Sequence, residues 1–170
     1  MNGSALRREI TACAQRYADG HGLRWYLSLG VSPALLFEPA GATHGNFHPA
    51  SYRAILGQAA WQRRLDKRHQ RPDALPEAKR GTARALDAAD STDALLMNVF
   101  CHPGVRGRGP LAHLFGEAEL PPPAFGVAGR VPLQAGGAAT PEIALQLGGC
   151  LVEATLTETG FPLKAAAQVE

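Results

Sequence analysis

The sequence predicts an α/β chain of the α+β kind, with a helical N-terminal half and a strand-rich C-terminal part. Three observations carry this. Leu6, Ile10, Cys13, Ala14 and Tyr17 recur at helical spacing. Ile143, Leu145 and Leu147 alternate with Glu142, Ala144 and Gln146, the period of a strand with one buried face. Gly148-Gly149 then supplies the positive φ angles of a two-residue hairpin turn. Two regions are expected: 1–90, mainly helical with short strands, and 91–170, a helix, a loop and a three-strand meander.

Taken in order, Ser4 caps a first helix running to about Asp19, and Gly20 and Gly22 stop it. Leu23 to Leu29 and Ala34 to Glu38 are short apolar runs that read as strands. Gly41–His48 is a loop, whose His44, Asn46 and His48 suit capping and loop hydrogen bonds better than metal binding. A helix is expected from Pro49 or Ala50 to about Lys67, with Tyr52, Ile55, Leu56 and Ala59 on one face. His69 to Pro76 reads as a polar linker, and Pro76 opens a further helix, rich in Ala and Arg, that ends near Ala89. Ser91 and Thr92 can each cap a helix from Asp93 to about Phe100, which is apolar nearly all round and so expected to be buried. A loop with Arg106, Arg108 and Pro121 to Pro123 follows. Phe125 to Leu133 reads as a strand, with Pro132 placing it at an edge or at a strand end. Cys150 to Thr157 returns from the hairpin turn.

The 170 residues fit one domain, or one domain with a helical extension. No apolar run is long enough to cross a bilayer, and the start, with Arg7, Arg8 and Glu9, lacks the apolar stretch of a signal peptide. A cytoplasmic location is the expectation. Cys13, Cys101 and Cys150 lie far apart, which argues against a disulfide framework or zinc site; each is expected to be a small buried residue. The net charge is +2, but the segment Arg63–Arg84 holds eight Lys or Arg against three acids. It is either the solvated surface of a helix or a surface for a phosphate backbone, through Arg63, Arg64, Lys67 and Arg68.

The hairpin fixes its own register. Leu147 opposes Cys150, Ala144 opposes Glu153 and Glu142 opposes Thr155, and these last four share one face. Ile143, Leu145, Val152 and Ala154 form the other, apolar face, expected to pack on the Asp93–Phe100 helix. Glu153 is an acid in mid-strand, where acids are depleted. Either its face is simply solvated, or Glu142 and Glu153 are oxygen ligands for a hard divalent cation.

At these residues the sequence resembles the PD-(D/E)XK nuclease superfamily, the restriction-endonuclease-like fold. The match runs from Pro141-Glu142-Ile143-Ala144-Leu145 through Leu151-Val152-Glu153-Ala154-Thr155 to Leu156-Thr157-Glu158. Over its whole length the chain resembles a group of uncharacterised bacterial proteins of that superfamily. Trp25-Tyr26-Leu27-Ser28-Leu29-Gly30, Gly45-Asn46-Phe47-His48-Pro49 and Asp93-Ala94-Leu95-Leu96-Met97-Asn98 carry this second likeness. The resemblance implies a mixed sheet flanked by helices and Mg2+- or Mn2+-dependent hydrolysis of a nucleic-acid backbone, with DNA or another nucleic acid as partner. Glu153 matches the third-strand acid, and Thr155 stands where the family's lysine belongs. Ala144 stands where its other acid belongs, so Glu142 is the candidate to replace it, with Glu142 and Glu153 as the metal ligands. Lys164 is a remote candidate for the missing lysine. The family core continues beyond where residue 170 falls, so the core is expected to be incomplete at its C-terminus, and a second copy of the chain is one way to cover the open sheet edge. Weakened or lost cleavage is therefore the expectation. Non-catalytic binding of nucleic acid or a protein partner is the alternative, as is a truncated copy without function.

Overall fold

The computed structural model describes residues 3–105, 109–132 and 138–157. Helix α1 spans Gly3–Gly20, so Ser4 lies inside its first turn instead of capping it. Its apolar residues Leu6, Ile10 and Ala14 are half-buried, Ala14 packs against the strand pair that follows, and Ala18 is fully buried. Cys13, expected to be buried, is exposed and accepts from the Arg16 guanidinium at 3.2 Å. Strands β1 (Trp25–Leu27) and β2 (Leu35–Phe37) pair antiparallel, with Tyr26 opposite Leu36, and every residue of β2 is buried.

The single helix expected from residue 49 to 67 is two: α2 (Pro49–Leu56) and α3 (Ala59–Leu65). Gly57 closes the first by donating to Arg53 O, and Gln58 is extended, so the chain turns before α3 begins. The break brings Trp61 into the core, where Nε1 donates to Pro123 O at 2.8 Å. Before α2, His44, Asn46 and His48 of the loop act as hydrogen-bonding residues. His48 Nδ1 accepts from Ala50 N–H at 3.2 Å, and His48 N–H donates to Asn98 Oδ1 at 2.7 Å. Asn46 Nδ2 donates to Leu86 O and Ala88 O, and buried His44 meets Asp87 at 3.0 Å.

The helix expected from Pro76 to Ala89 does not form. Short 3₁₀ turns at Pro72–Ala74, Glu77–Lys79 and Ala85–Asp87 replace it, and the linker before it holds the first of them. Between the turns the backbone doubles back: Arg68 bridges Arg84, His69 N–H donates to Ala83 O, and Ala85 N–H donates to Lys67 O at 2.7 Å. Helix propensity loses to burial here, because Ala83, Leu86 and Ala88 all enter the core from this irregular segment.

Helix α4 (Thr92–Phe100) is capped by Ser91 Oγ, which accepts from Ala94 N–H. It is buried on two sides. Ala94 and Met97 join a cluster with Phe47, Tyr52, Ile55, Trp61 and Leu65. Leu96 and Phe100 join a second, with Ala112, Leu120, Leu145 and Leu147. A third side stays open at Leu95 and Val99. The following segment, expected to be a loop, contains helix α5 (Pro110–Leu114); Arg106 and Arg108 lie outside the described residues.

The strand expected at 125–133 is divided into β3 (Ala124–Ala128) and β4 (Val131–Pro132), with Leu133 outside the described residues. Strand β4 pairs with β5 (Ala138–Ala139). Strands β6 (Glu142–Leu147) and β7 (Cys150–Val152) make the hairpin, and the sheet order is β3-β6-β7, antiparallel throughout. The register is the expected one, Leu147 opposite Cys150 and Leu145 opposite Val152. Of the two turn glycines only Gly148 has positive φ, +55°. The return strand stops at Val152, short of Thr157. Leu145 and Leu147 bury the apolar face against α4, as the alternation requires. Among the described residues no helix is long and apolar enough to cross a membrane.

The register sets a test. Leu145 is fully buried and Leu151 is 61% exposed. Leu145→Ala is expected to cost about 3 kcal/mol of unfolding free energy, and Leu151→Ala about 0.5 or less, measured by urea denaturation. Equal costs would place the wrong face of the hairpin against α4.

Candidate functional site

The hairpin, α3 and the start of α4 enclose a cleft of about 430 Å³. Arg7 of α1 and the segment Lys67–Arg71 complete its walls, and its lining includes both Glu142 and Glu153. Asp93, in the first turn of α4, and Glu142, at the start of β6, both line it.

At the centre stand two cations and two carboxylates. Arg64 Nη2 donates to Asp93 Oδ1 and Oδ2, both at 2.9 Å, and to Glu142 Oε1 at 2.8 Å. Lys67 Nζ donates to Asp93 Oδ2 at 2.9 Å and to Glu142 Oε1 at 2.8 Å. Arg64 and Lys67 lie at the last turn of α3 and just past it, so their side chains leave the helix in one direction. Asp93 lies in the first turn of α4, where the helix dipole favours an acid. Glu142 opens β6. The side chains of Arg64 and Asp93 are 10% and 14% exposed, whereas Glu142 is 52% exposed. Hydrogen bonds from Arg64 first, then Lys67, pull the Glu142 pKa down to about 2. Burial lowers the Arg64 pKa, but its bonds to Glu142 and Asp93 outweigh this and leave it raised. Arg64 Nε is buried without a hydrogen-bond partner among the described residues. Gly126 of β3, at φ +62°, lets the guanidinium lie against the strand; a Cβ there would overlap Arg64 Nη1.

Glu153 lies just past β7 and turns back on the ladder, where Oε1 accepts from Ala144 N–H at 3.1 Å. The expected opposition of Ala144 and Glu153 thus takes the form of a side-chain bond to the backbone. Thr155 is exposed and does not line the cleft. A second cluster closes the far end: Arg7 Nε meets Asp90 Oδ2 at 2.6 Å, and Thr157 Oγ1 donates to the same oxygen at 3.0 Å.

The four basic residues singled out by composition separate. Arg64 and Lys67 enter the cleft, Arg63 is exposed outside it, and Arg68 points to the opposite side of the chain, where it donates to Gly81 O. Lys164 lies outside the described residues. Sequence reasoning passed over Asp93 as a site residue. An acid in the first turn of a helix reads as a dipole effect, and nothing local reveals that it faces two cations about thirty residues earlier.

Both Asp93 oxygens and Glu142 Oε1 already accept from cations, and Glu153 Oε1 accepts from a backbone N–H. Among the described residues no three His, Cys, Asp or Glu side chains are gathered as metal ligands.

The described residues form an α+β fold with a cleft that joins acids and cations beside the sheet. A family model described as "Restriction Endonuclease associating with ARP" matches residues 9–170, and the chain belongs to that family. No curated protein and no solved structure matches the chain.

The depressed Glu142 pKa gives a signed expectation. Its ion pairs stabilise the fold fully above the ordinary pKa of 4.5, and this is lost as pH falls through about 2. Half-exposure keeps the effect to about 1 kcal/mol or less. In urea denaturation the wild type is expected to lose its advantage over Glu142→Gln across that window. A difference that stays constant with pH would mean that the pairs are not formed in solution.

Proposed function

We propose that this restriction-endonuclease-like chain binds a nucleic-acid backbone in the cleft, with a phosphodiester taking the place that Glu142 Oε1 now holds on Arg64 and Lys67. One observation carries the reading: Glu142 Oε1 receives two cationic donors at 2.8 Å, an arrangement that a phosphate oxygen satisfies equally well. Glu142 is also the most exposed of the four, so it is the member that a ligand displaces at least cost. Arg71 on the rim has no carboxylate partner among the described residues and extends the positive path.

Metal-dependent hydrolysis of the PD-(D/E)XK kind is the finer part of the reading. Glu153 is the acid that supports it, because it lines the cleft in the position of the family's third-strand carboxylate. Ala144 and Thr155 provide neither the partner acid nor the lysine. Lys67 brings a cation to the same cleft from α3. Binding is therefore expected to be stronger evidence of function than cleavage, and Mg2+ or Mn2+ is expected to add little turnover. A protein partner is a second reading, supported by the family's description as associating with ARP.

Fluorescence anisotropy with labelled single- and double-stranded DNA tests the central claim. Affinity is expected to fall steeply with salt, and to fall about tenfold in Lys67→Ala. Glu142→Ala is expected to tighten binding several-fold, about 1 kcal/mol, because it removes the competing anion. Weaker binding in Glu142→Ala would sink the displacement idea. A parallel plasmid assay with Mg2+ or Mn2+ addresses hydrolysis: robust cleavage lost in both Glu153→Ala and Glu142→Ala would make Glu142 a ligand of the reaction and not an internal competitor.

A further inference from the structure

The extended segment from Lys67 to Arg71 has two faces. Lys67, His69, Gln70 and Arg71 line the cleft described above, while Arg68 lines a separate cavity of about 580 Å³ behind it. The backbone pairing of 67–69 with 83–85 holds this division.

The second cavity is electropositive. Arg24, Arg68, Lys79 and Arg84 line it against two carboxylates, Glu38 and Asp87. Both acids are already engaged. Glu38 pairs with Lys79 and, at 3.5 Å, with Arg24. Buried Asp87 pairs with Arg84 at 3.5 Å and with His44 at 3.0 Å, and also accepts from Arg84 N–H. Arg68 meets no carboxylate; one of its N–H groups is held by Gly81 O, which fixes the guanidinium and leaves further donors. Tyr26 adds an aromatic wall, and its hydroxyl makes no hydrogen bond among the described residues. Burial first, then Asp87 and Glu38, push its pKa up to about 12, so it remains a donor at neutral pH.

We propose that this cavity is a binding site for a phosphate monoester of mononucleotide size. Four cations against two carboxylates leave the lining positive, with Arg84 also facing Asp66 at 3.9 Å, and a phosphate monoester carries a charge of about −1.5 to −2 at neutral pH. The volume exceeds what a bare phosphate needs and falls within the range of small-molecule sites. Arg68 and Arg24 supply charge-assisted donors, and the Tyr26 hydroxyl supplies a neutral one. The site is independent of the function proposed for the first cleft, since the two share no side chain in their linings.

Titration calorimetry at low salt, with adenosine 5′-monophosphate, inorganic phosphate and adenosine as separate probes, tests this. The monophosphate is expected to bind more tightly than phosphate, and adenosine not to bind. Arg24→Ala with Arg68→Ala is expected to weaken the monophosphate about tenfold or more. Tyr26→Phe, which keeps the ring and its packing, is expected to weaken it severalfold, and Arg63→Ala, exposed outside both cavities, to leave it unchanged. Near-ultraviolet circular dichroism establishes that each variant is folded; if the double variant is not, Tyr26→Phe and Arg24→Ala alone decide. Adenosine binding as tightly as its monophosphate, no binding of either phosphate, or a loss confined to Arg63→Ala would each overturn the proposal.

Discussion

Helix α4 packs apolar side chains on two sides at once. Ala94 and Met97 meet the aromatic and aliphatic residues of the helical half, and Leu96 and Phe100 meet the sheet. A helix that is apolar over so much of its surface has no stable exposed position, so its burial joins two clusters that would otherwise be separate. The placement of the cleft follows from that seat. Once the two sides of α4 are fixed, its N-terminal turn can face only the gap between α3 and the hairpin, and Asp93 goes with it. Asn98 ties the other end to the loop before α2, through His48 N–H and Asn46 O.

Arg64 could not occupy so buried a position alone. Taking a charge out of water costs several kcal/mol unless partners compensate, and Asp93 and Glu142 provide three acceptor contacts to one nitrogen. The cleft as a whole is balanced, with four cations and four carboxylates in its lining. Such balance keeps the empty cleft stable while leaving each partner replaceable by a ligand group of like charge. The cavity behind the Lys67–Arg71 segment lacks that balance, although one short stretch of backbone serves both.

The features that the sequence disclosed are those set by local periodicity. The 142–147 alternation and Gly148-Gly149 determined the hairpin, its register and its buried face, and Ser91 with the apolar run after it located α4. The losses have one cause, tertiary contact overriding local preference. Ala- and Arg-rich residues 76–89 suggest a helix, yet Asp87 bonds the Arg84 backbone and Ala83 and Ala88 are buried in the core. Gly57-Gln58 is a break that no propensity marks strongly. The site was half visible. Glu142, Glu153, Arg64 and Lys67 could each be named from the chain, but Arg64 and Glu142 stand 78 residues apart, and no spacing rule says that they neutralise one another. Asp93 stayed hidden for the same reason.

Gly126 shows how far a missing side chain can reach. The strand there bends through a left-handed conformation, and the Arg64 guanidinium fills the space that a methyl group would need. Any other residue at this position would drive the guanidinium away and leave Asp93 and Glu142 to share Lys67 alone. Glu142 with one cationic donor in place of two would hold its proton more tightly. The acidity of the cleft is therefore written partly into a residue that carries no charge, no donor and no side chain, on a strand that contributes nothing else to the chemistry.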